Sequence, residues 1–181
     1  MRTYLELDDP ARLRPAGPPR LAEVEIARVV PADGALSRWF YVEVGRPHRW
    51  TDNLARADAE WQAWAQRVQT WVATVAGERA GYYELLSGSD GVEVAYFGLL
   101  PAFQGQGLGG HLLTHALRRA LELAPRVWLH TNTQDGAAAL PNYLARGLRP
   151  FRREELTRAG ADQLRPGGEA ADRRRGLPPS L

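Results

Sequence analysis

Seven residues in the middle of the chain, Gln104-Gly105-Gln106-Gly107-Leu108-Gly109-Gly110, place two side-chain amides among four glycines, between an apolar strand pattern (Val92 to Leu100) and a helical one. Glycines let a backbone approach a ligand closely, and the first N–H groups of a helix, at the positive end of its dipole, have no partner inside the helix. The spacing predicts a cradle for a diphosphate. A plain glycine-rich turn into the helix is the alternative, but it does not need so many glycines, each of which costs backbone entropy.

A lysine-bearing phosphate loop is excluded, because the chain contains no lysine. Gly105, Gly107 and Gly110 also spell the G-x-G-x-x-G of dinucleotide sites. However, Pro101 to Gln104 hold them off the preceding strand, and the next strand pattern, Arg126 to His130, ends without the acid that would bind a ribose. Gln104-x-x-Gly107-x-Gly109 instead resembles the (Arg/Gln)-x-x-Gly-x-(Gly/Ala) pyrophosphate loop of the GNAT superfamily, the Gcn5-related N-acetyltransferases, which use acetyl-CoA. Tyr143-Leu144-Ala145-Arg146-Gly147-Leu148 is similar to the family's Tyr-x-x-x-Gly-Phe segment, with Leu148 in the Phe place. The likeness covers residues 92 to 152 by motif and 21 to 157 by element order.

The resemblance implies transfer of an acetyl group from acetyl-CoA to a primary amine, of a small molecule or a protein, by direct attack. No cysteine exists to carry a covalent intermediate. It puts the pyrophosphate on the loop from Gln104 through Gly105, Gln106, Gly107, Leu108, Gly109 and Gly110, the pantetheine arm beside Leu99, and the thioester carbonyl on the backbone N–H of Phe97. Glu93 lies eleven residues before Gln104, as does the catalytic Glu of the histone-acetylating branch. An unpaired acid in an apolar strand is costly, so Glu93 is either the base or an Arg-paired or solvent-facing residue, and Glu84 is the reserve base. Tyr143 matches the tyrosine near the CoA sulfur, whose phenol can protonate the leaving thiolate; packing on the sheet is its other reading. Many relatives carry an Asn where this chain has Gly136, which leaves Asn132 and Asn142 as substitute cofactor contacts. The acceptor site falls to Trp39, Tyr41, Trp50, Trp61, Trp64 and Tyr82, with Glu84, Glu154 or Glu155, because aromatic walls with an acid suit a cationic amine; core packing suits the same aromatics. A non-catalytic acyl-CoA-binding or regulatory module is the rival function, and a nicotinamide-dependent enzyme the second.

The elements that must position these groups follow from periodicity. Residues 21–30 alternate as a strand, Asp33 caps a helix over 34–44, and Thr51 or Asp52 caps another over 53–67. A three-strand meander leads into the cradle, followed by a helix over 107–123, a strand over 126–130, a helix over 137–146 and a strand over 148–156. The expected class is α/β, a mixed, mostly antiparallel sheet flanked by helices on both faces. Residues 1–20 read as a connector in which only Thr3 to Leu7 has strand character, 21–157 as one GNAT domain, and 158–181 as a tail, disordered or irregularly docked. The family's closing hairpin has no pattern here; a homodimer in which the partner supplies it is one completion. A net charge of +2 without a long basic stripe argues against nucleic acid. The lack of any apolar run near ~20 residues argues against a membrane span. Without cysteine or a secretory segment, a cytoplasmic location is expected. His111 and His115 lie four apart, but without a third ligand they predict no metal.

Overall fold

The computed structural model of the protein describes residues 1–155; the expected tail, 158–181, and the end of the strand drawn to 156 lie outside them. Among the described residues are seven strands, β1 (Arg2–Leu7), β2 (Val24–Arg28), β3 (Val68–Val75), β4 (Glu78–Gly88), β5 (Gly91–Leu99), β6 (Val127–Asn132) and β7 (Arg149–Glu154). The helices are α1 (Gly34–Gly45), α2 (Asp58–Arg67), α3 (Leu108–Leu123) and α4 (Ala139–Ala145). One sheet holds the strands in the order β2-β3-β4-β5-β6-β1-β7. All neighbours are antiparallel except β5 and β6. The expected α/β architecture, a mixed sheet covered on both faces, is therefore what forms.

Each face has its own core. Leu112, Leu113, Ala116, Leu117 and Ala120 of α3, with Tyr143 of α4, pack on Leu5, Leu85, Val94 and Leu129 of the sheet. Across the sheet, Phe40 and Tyr41 of α1 and Trp61 and Trp64 of α2 pack on Tyr82, Leu86 and Tyr96. The apolar spacing of α3 places its stripe on one side, whereas the α1/α2 layer is filled by aromatics. No helix among the described residues is long and apolar enough to cross a membrane.

Two local expectations are corrected. The connector assigned to residues 1–20 begins with a full strand inside the sheet: β1 lies between β6 and β7 and pairs with both. Leu5 and Leu7 are buried opposite Leu129 and Val127, because period-two alternation puts them on the α3 face. Within the described residues, the neighbour of β7 is the chain's own first strand. The second helix starts at Asp58, not near 53, since Glu60 accepts from the Ala57 N–H at 2.9 Å and caps it there. Asn53 is instead buried, its N–H donating to the Tyr41 hydroxyl at 3.2 Å and its Nδ2 to the Tyr96 hydroxyl at 2.8 Å.

If β1 is structural, Leu5→Ala removes a wholly buried side chain from the sheet interior and should lower the unfolding free energy by about 2–5 kcal/mol. Urea denaturation measures this; a loss below about 0.5 kcal/mol, as for a surface site, would contradict the placement.

Candidate active site

β5 carries one residue too many. Glu84 of β4 pairs with Tyr96 and Leu85 with Val94, so Ala95 bulges from the ladder, and such a bulge bends its strand and increases its twist. On the other side of β5, pairing with β6 ends within two residues of the bulge. Only Val92↔Val127 and Glu93↔Trp128 are joined. Beyond them the two strands part, and a cavity of about 780 Å³ fills the gap.

The ladder's parity decides which groups face that gap. Leu100 N–H donates to the Ala80 carbonyl at 2.8 Å, which makes Gly98 and Tyr96 the hydrogen-bonded partners of Tyr82 and Glu84. The N–H and C=O groups of Phe97 and Leu99 therefore point away from β4, into the opened seam. Leu99 O accepts from Gln104 Nε2 at 3.2 Å, so the side chain expected to meet a phosphate is turned back on the strand.

The cradle closes one end of the seam. Gly105 and Gly107 have φ of +76° and +85°, left-handed values that a side chain would strain. Gly107 is the N-cap of α3, so the N–H groups of Leu108, Gly109 and Gly110 have no helical acceptor. Gly105, Gly107, Gly109, Gly110 and Gln104 line the cavity. Gln106 and Leu108 do not: Gln106 Nε2 donates to Ala102 O at 3.2 Å, and Leu108 is core. Arg20 and Arg146, which sequence reasoning gave no site role, and Asn142, which it did, support the loop. Arg20 donates to Gly105 O through Nη2 at 3.0 Å and to Gln106 O through its backbone at 2.9 Å. Arg146 Nη1 lies against Gly110, where an added Cβ would meet it at 2.5 Å. Asn142 Nδ2 donates to Gly109 O at 3.1 Å.

Tyr143 also lines the cavity, edge-on to Phe97 at 6.2 Å between ring centroids. Burial first, then the Asp135 charge, raises the pKa of its phenol well above the ordinary value, so at neutral pH it holds its proton. Asn132 lines the wall and caps the next turn, its Oδ1 accepting from Gln134 N at 2.9 Å. At the far end, Tyr41, Trp50 and Tyr96 stand beside the loop from His48 to Asn53. Trp50 is held by a bond from Nε1 to Asp135 Oδ1 at 3.3 Å.

Glu93 is 3% exposed and does not itself line the cavity. His130, one strand over, does, and its Nδ1 lies 3.6 Å from Glu93 Oε1. The imidazole packs on Tyr4 at 5.7 Å. His130 and Arg2 are among the cavity residues that sequence reasoning missed; the alternation of β6, which turns Val127, Leu129 and Thr131 inward, was the available signal for His130.

Several proposed contacts are not in the cleft. Glu84 is wholly buried and accepts from Ser37 Oγ at 2.5 Å, Trp64 Nε1 at 2.5 Å and Thr70 Oγ1 at 3.0 Å; it organises the α1/α2 core. Tyr82 is wholly buried against Phe40 at 4.8 Å. Trp39 lies outside the cavity, 37% exposed under the Arg79 guanidinium at 4.8 Å. Trp61 and Trp64 are core. Glu154 accepts from the Tyr4 hydroxyl at 2.8 Å, and Glu155 is exposed. His115 lies 2.8 Å from the Tyr83 hydroxyl through Nδ1, on the α3 surface against Trp71. No group of three metal-ligating side chains occurs among the described residues.

A cradle at a helix N-terminus is reached through a parted pair of parallel strands, and the Acetyltransferase (GNAT) family matches residues 36–148, more than half of the 181. The chain belongs to the GNAT acetyltransferase family. Its fold is similar to that of a GCN5-related N-acetyltransferase from Kribbella flavida, at a TM-score of 0.59 and 21% identity over 83% of this chain and 55% of that one. A GCN5-related N-acetyltransferase from Sphaerobacter thermophilus gives 0.62 at 14% identity, over 83% and 48%. The ribosomal-protein-S18-alanine N-acetyltransferase from Escherichia coli gives 0.52 at 20%, over 67% and 75%. These likenesses show the GNAT fold, and the chain spans about half the length of the first two relatives. No functionally curated protein matches the sequence.

In this GNAT chain Glu84 should show itself through stability rather than through chemistry. Burial outweighs its three donors and raises its pKa above the ordinary 4.5. The native state then holds the proton more tightly than the unfolded state. The Glu84 contribution is accordingly most favourable below pH 4.5 and declines as pH rises through the native value. Urea melts across pH 4–8 should show Glu84→Gln gaining on the wild type as pH rises; a difference that does not change with pH would contradict this.

Proposed function

We propose that this GNAT chain transfers an acetyl group from acetyl-CoA to a primary amine by direct attack, with no covalent enzyme intermediate. The seam between β5 and β6 carries the reading: one continuous cavity joins a diphosphate cradle to a chamber with an aromatic wall, and passes the N–H of Phe97 on the way. Each requirement of the reaction has a group of this chain beside it.

Bound acetyl-CoA would supply an activated thioester carbonyl. The free N–H groups of Leu108, Gly109 and Gly110, with the positive charges of Arg20 and Arg146 nearby, suit the diphosphate. Gln104 can leave Leu99 O to meet the same anion, which would free that carbonyl for an amide of the pantetheine arm. The Phe97 N–H, fixed in the strand before reaction begins, faces the place where negative charge grows on the carbonyl oxygen; one such donor is worth about 2.7–4 kcal/mol in related sites. His130 stands at the cavity wall with the Glu93 carboxylate behind it, so the imidazole takes the ammonium proton and the carboxylate stabilises the imidazolium. Glu93 is thereby the second member of a pair. Tyr143, kept protonated by burial, gives a proton to the departing thiolate.

Calorimetric titration with acetyl-CoA is the direct test, and the wild type should bind it. Gly107→Val forces a branched side chain into a left-handed position at the mouth of the cradle, and binding should weaken at least about tenfold, or 1.4 kcal/mol. Failure of the wild type to bind acetyl-CoA or CoA would overturn the reading.

Given binding, Tyr143→Phe should lower kcat by about 10²-fold or more at nearly constant KM for acetyl-CoA. His130→Ala should cost about as much at neutral pH and recover toward pH 10, where an amine of pKa about 10 loses its proton unaided. Acetyl-CoA binding with no acetyl transfer, or with transfer indifferent to both changes, would favour a binding module over an enzyme.

A further inference from the structure

The acceptor chamber holds a buried cation that no carboxylate pairs among the described residues. Arg2, the first residue of β1, is 5% exposed and lines the same cavity as Phe97 and His130. Its Nε is buried and has no hydrogen-bond partner among the described residues. Arg2 makes no ion pair within 4.0 Å among them either.

Two acids of the surrounding wall and strands are engaged elsewhere. Glu154 lies opposite Arg2 on β7, but its carboxylate accepts from the Tyr4 hydroxyl and pairs with Arg152. Arg2 reaches that cluster only at the Tyr4 hydroxyl, whose titration it influences. Asp135, also in the cavity wall, accepts from Thr131 Oγ1 at 2.6 Å, Asn132 N at 2.9 Å and Trp50 Nε1 at 3.3 Å. A guanidinium removed from water without a carboxylate is expensive, and an unsatisfied buried group of this kind calls for a reason.

Resting on the acetyltransferase reading above, we infer that the amine acceptor carries a carboxylate, which Arg2 binds through its planar fork of N–H groups. Register gives the geometry. Arg2 stands opposite Asn132, and Tyr4 opposite His130, so the anion and amine positions lie two residues apart along β6, roughly 7 Å. All four side chains share the α1/α2 face of the sheet. A small molecule with an amine at one end and a carboxylate at the other spans that interval. The charge on Arg2 would select such an acceptor against a plain alkylamine, and the N-terminal strand becomes part of substrate recognition.

The test compares ω-amino acids of two to six carbons with n-alkylamines of the same length, and with aminoalkyl phosphonates as a second anion. In the wild type, kcat/KM for the best amino acid should exceed that of its alkylamine by about tenfold or more, the range of a charge-assisted bond. Arg2→Gln should bring that ratio near one, and Arg2→Lys should leave it intermediate. A purely structural role would lower both substrates together and keep the ratio. Calorimetry with 5-aminovalerate, on the free protein and on its CoA complex, scores the inference even if no turnover is seen: binding by the wild type that Arg2→Gln loses supports it. A ratio near one in the wild type, a stronger preference for phosphonate, loss of acetyl-CoA affinity instead of acid selectivity in Arg2→Gln, or no 5-aminovalerate binding would each overturn it. Failure of acetyl-CoA to bind at all counts against the parent reading, and the free-protein titration separates the two.

Discussion

A single surplus residue, Ala95, underlies the geometry of the site. A sheet satisfies its backbone by pairing every strand on both sides, and an interior strand with one side unpaired leaves N–H and C=O groups exposed to whatever fills the gap. The bulge bends β5 just where its pairing with β6 ends, so the backbone groups of Phe97 and Leu99 that no strand pairs border a cavity rather than another strand. Pairing of β5 with β4 continues on both sides of the bulge, which keeps the strand rigid. Rigid, unpaired donors beside a cavity suit the stabilisation of developing charge, because they need no reorganisation when the charge appears.

The rest of the molecule can be read as support for that opening. On one face, α3 brings its N-terminus to the end of the seam. The connector from Asp8 to Glu23 crosses over it, with Ala16 N donating to Thr114 Oγ1 at 2.9 Å and Arg14 N to Arg146 O at 3.1 Å. On the other face, aromatics hold the loop from His48 to Asn53 as the chamber's outer wall. Tyr41 packs on Trp50, Trp61 and Tyr96, and Asn53 is bonded to two of the same phenols. β1 completes the frame: without it β6 would be an edge strand beside an open seam.

Much of this was legible before folding. The cradle, the meander and α3 rest on local signals: glycine clusters, period two and period 3.6. Tyr143 and Asn142 reached the cavity because the short helix that carries them was readable from its neighbours. The failures share a cause, which is that they depend on pairing between residues distant in sequence. Arg2–Leu7 looked marginal because prolines follow it, and nothing local says that β6 and β7 flank it. His130 lies in a strand whose alternation was visible but whose facing partner, Glu93, is 37 residues away. Glu84 and Tyr82 were assigned to the chamber by residue type, although their register places them beneath α1 and α2.

The contrast between the two buried acids shows how environment, rather than residue type, assigns a role. Glu84 and Glu93 lie on adjacent strands and face the same layer, and both are almost without solvent exposure. Glu84 is surrounded by three fixed donors from α1, α2 and β3, and a carboxylate so enclosed has no route by which a substrate proton can arrive. Glu93 sits where β5 leaves β6, next to an imidazole that does reach the cavity. Only the second acid is coupled to a group that can meet substrate, and the coupling exists because the two strands are still paired at Glu93 and parted beyond it. The opening of the sheet thus sets which of the two carboxylates lies behind a group that reaches the cavity.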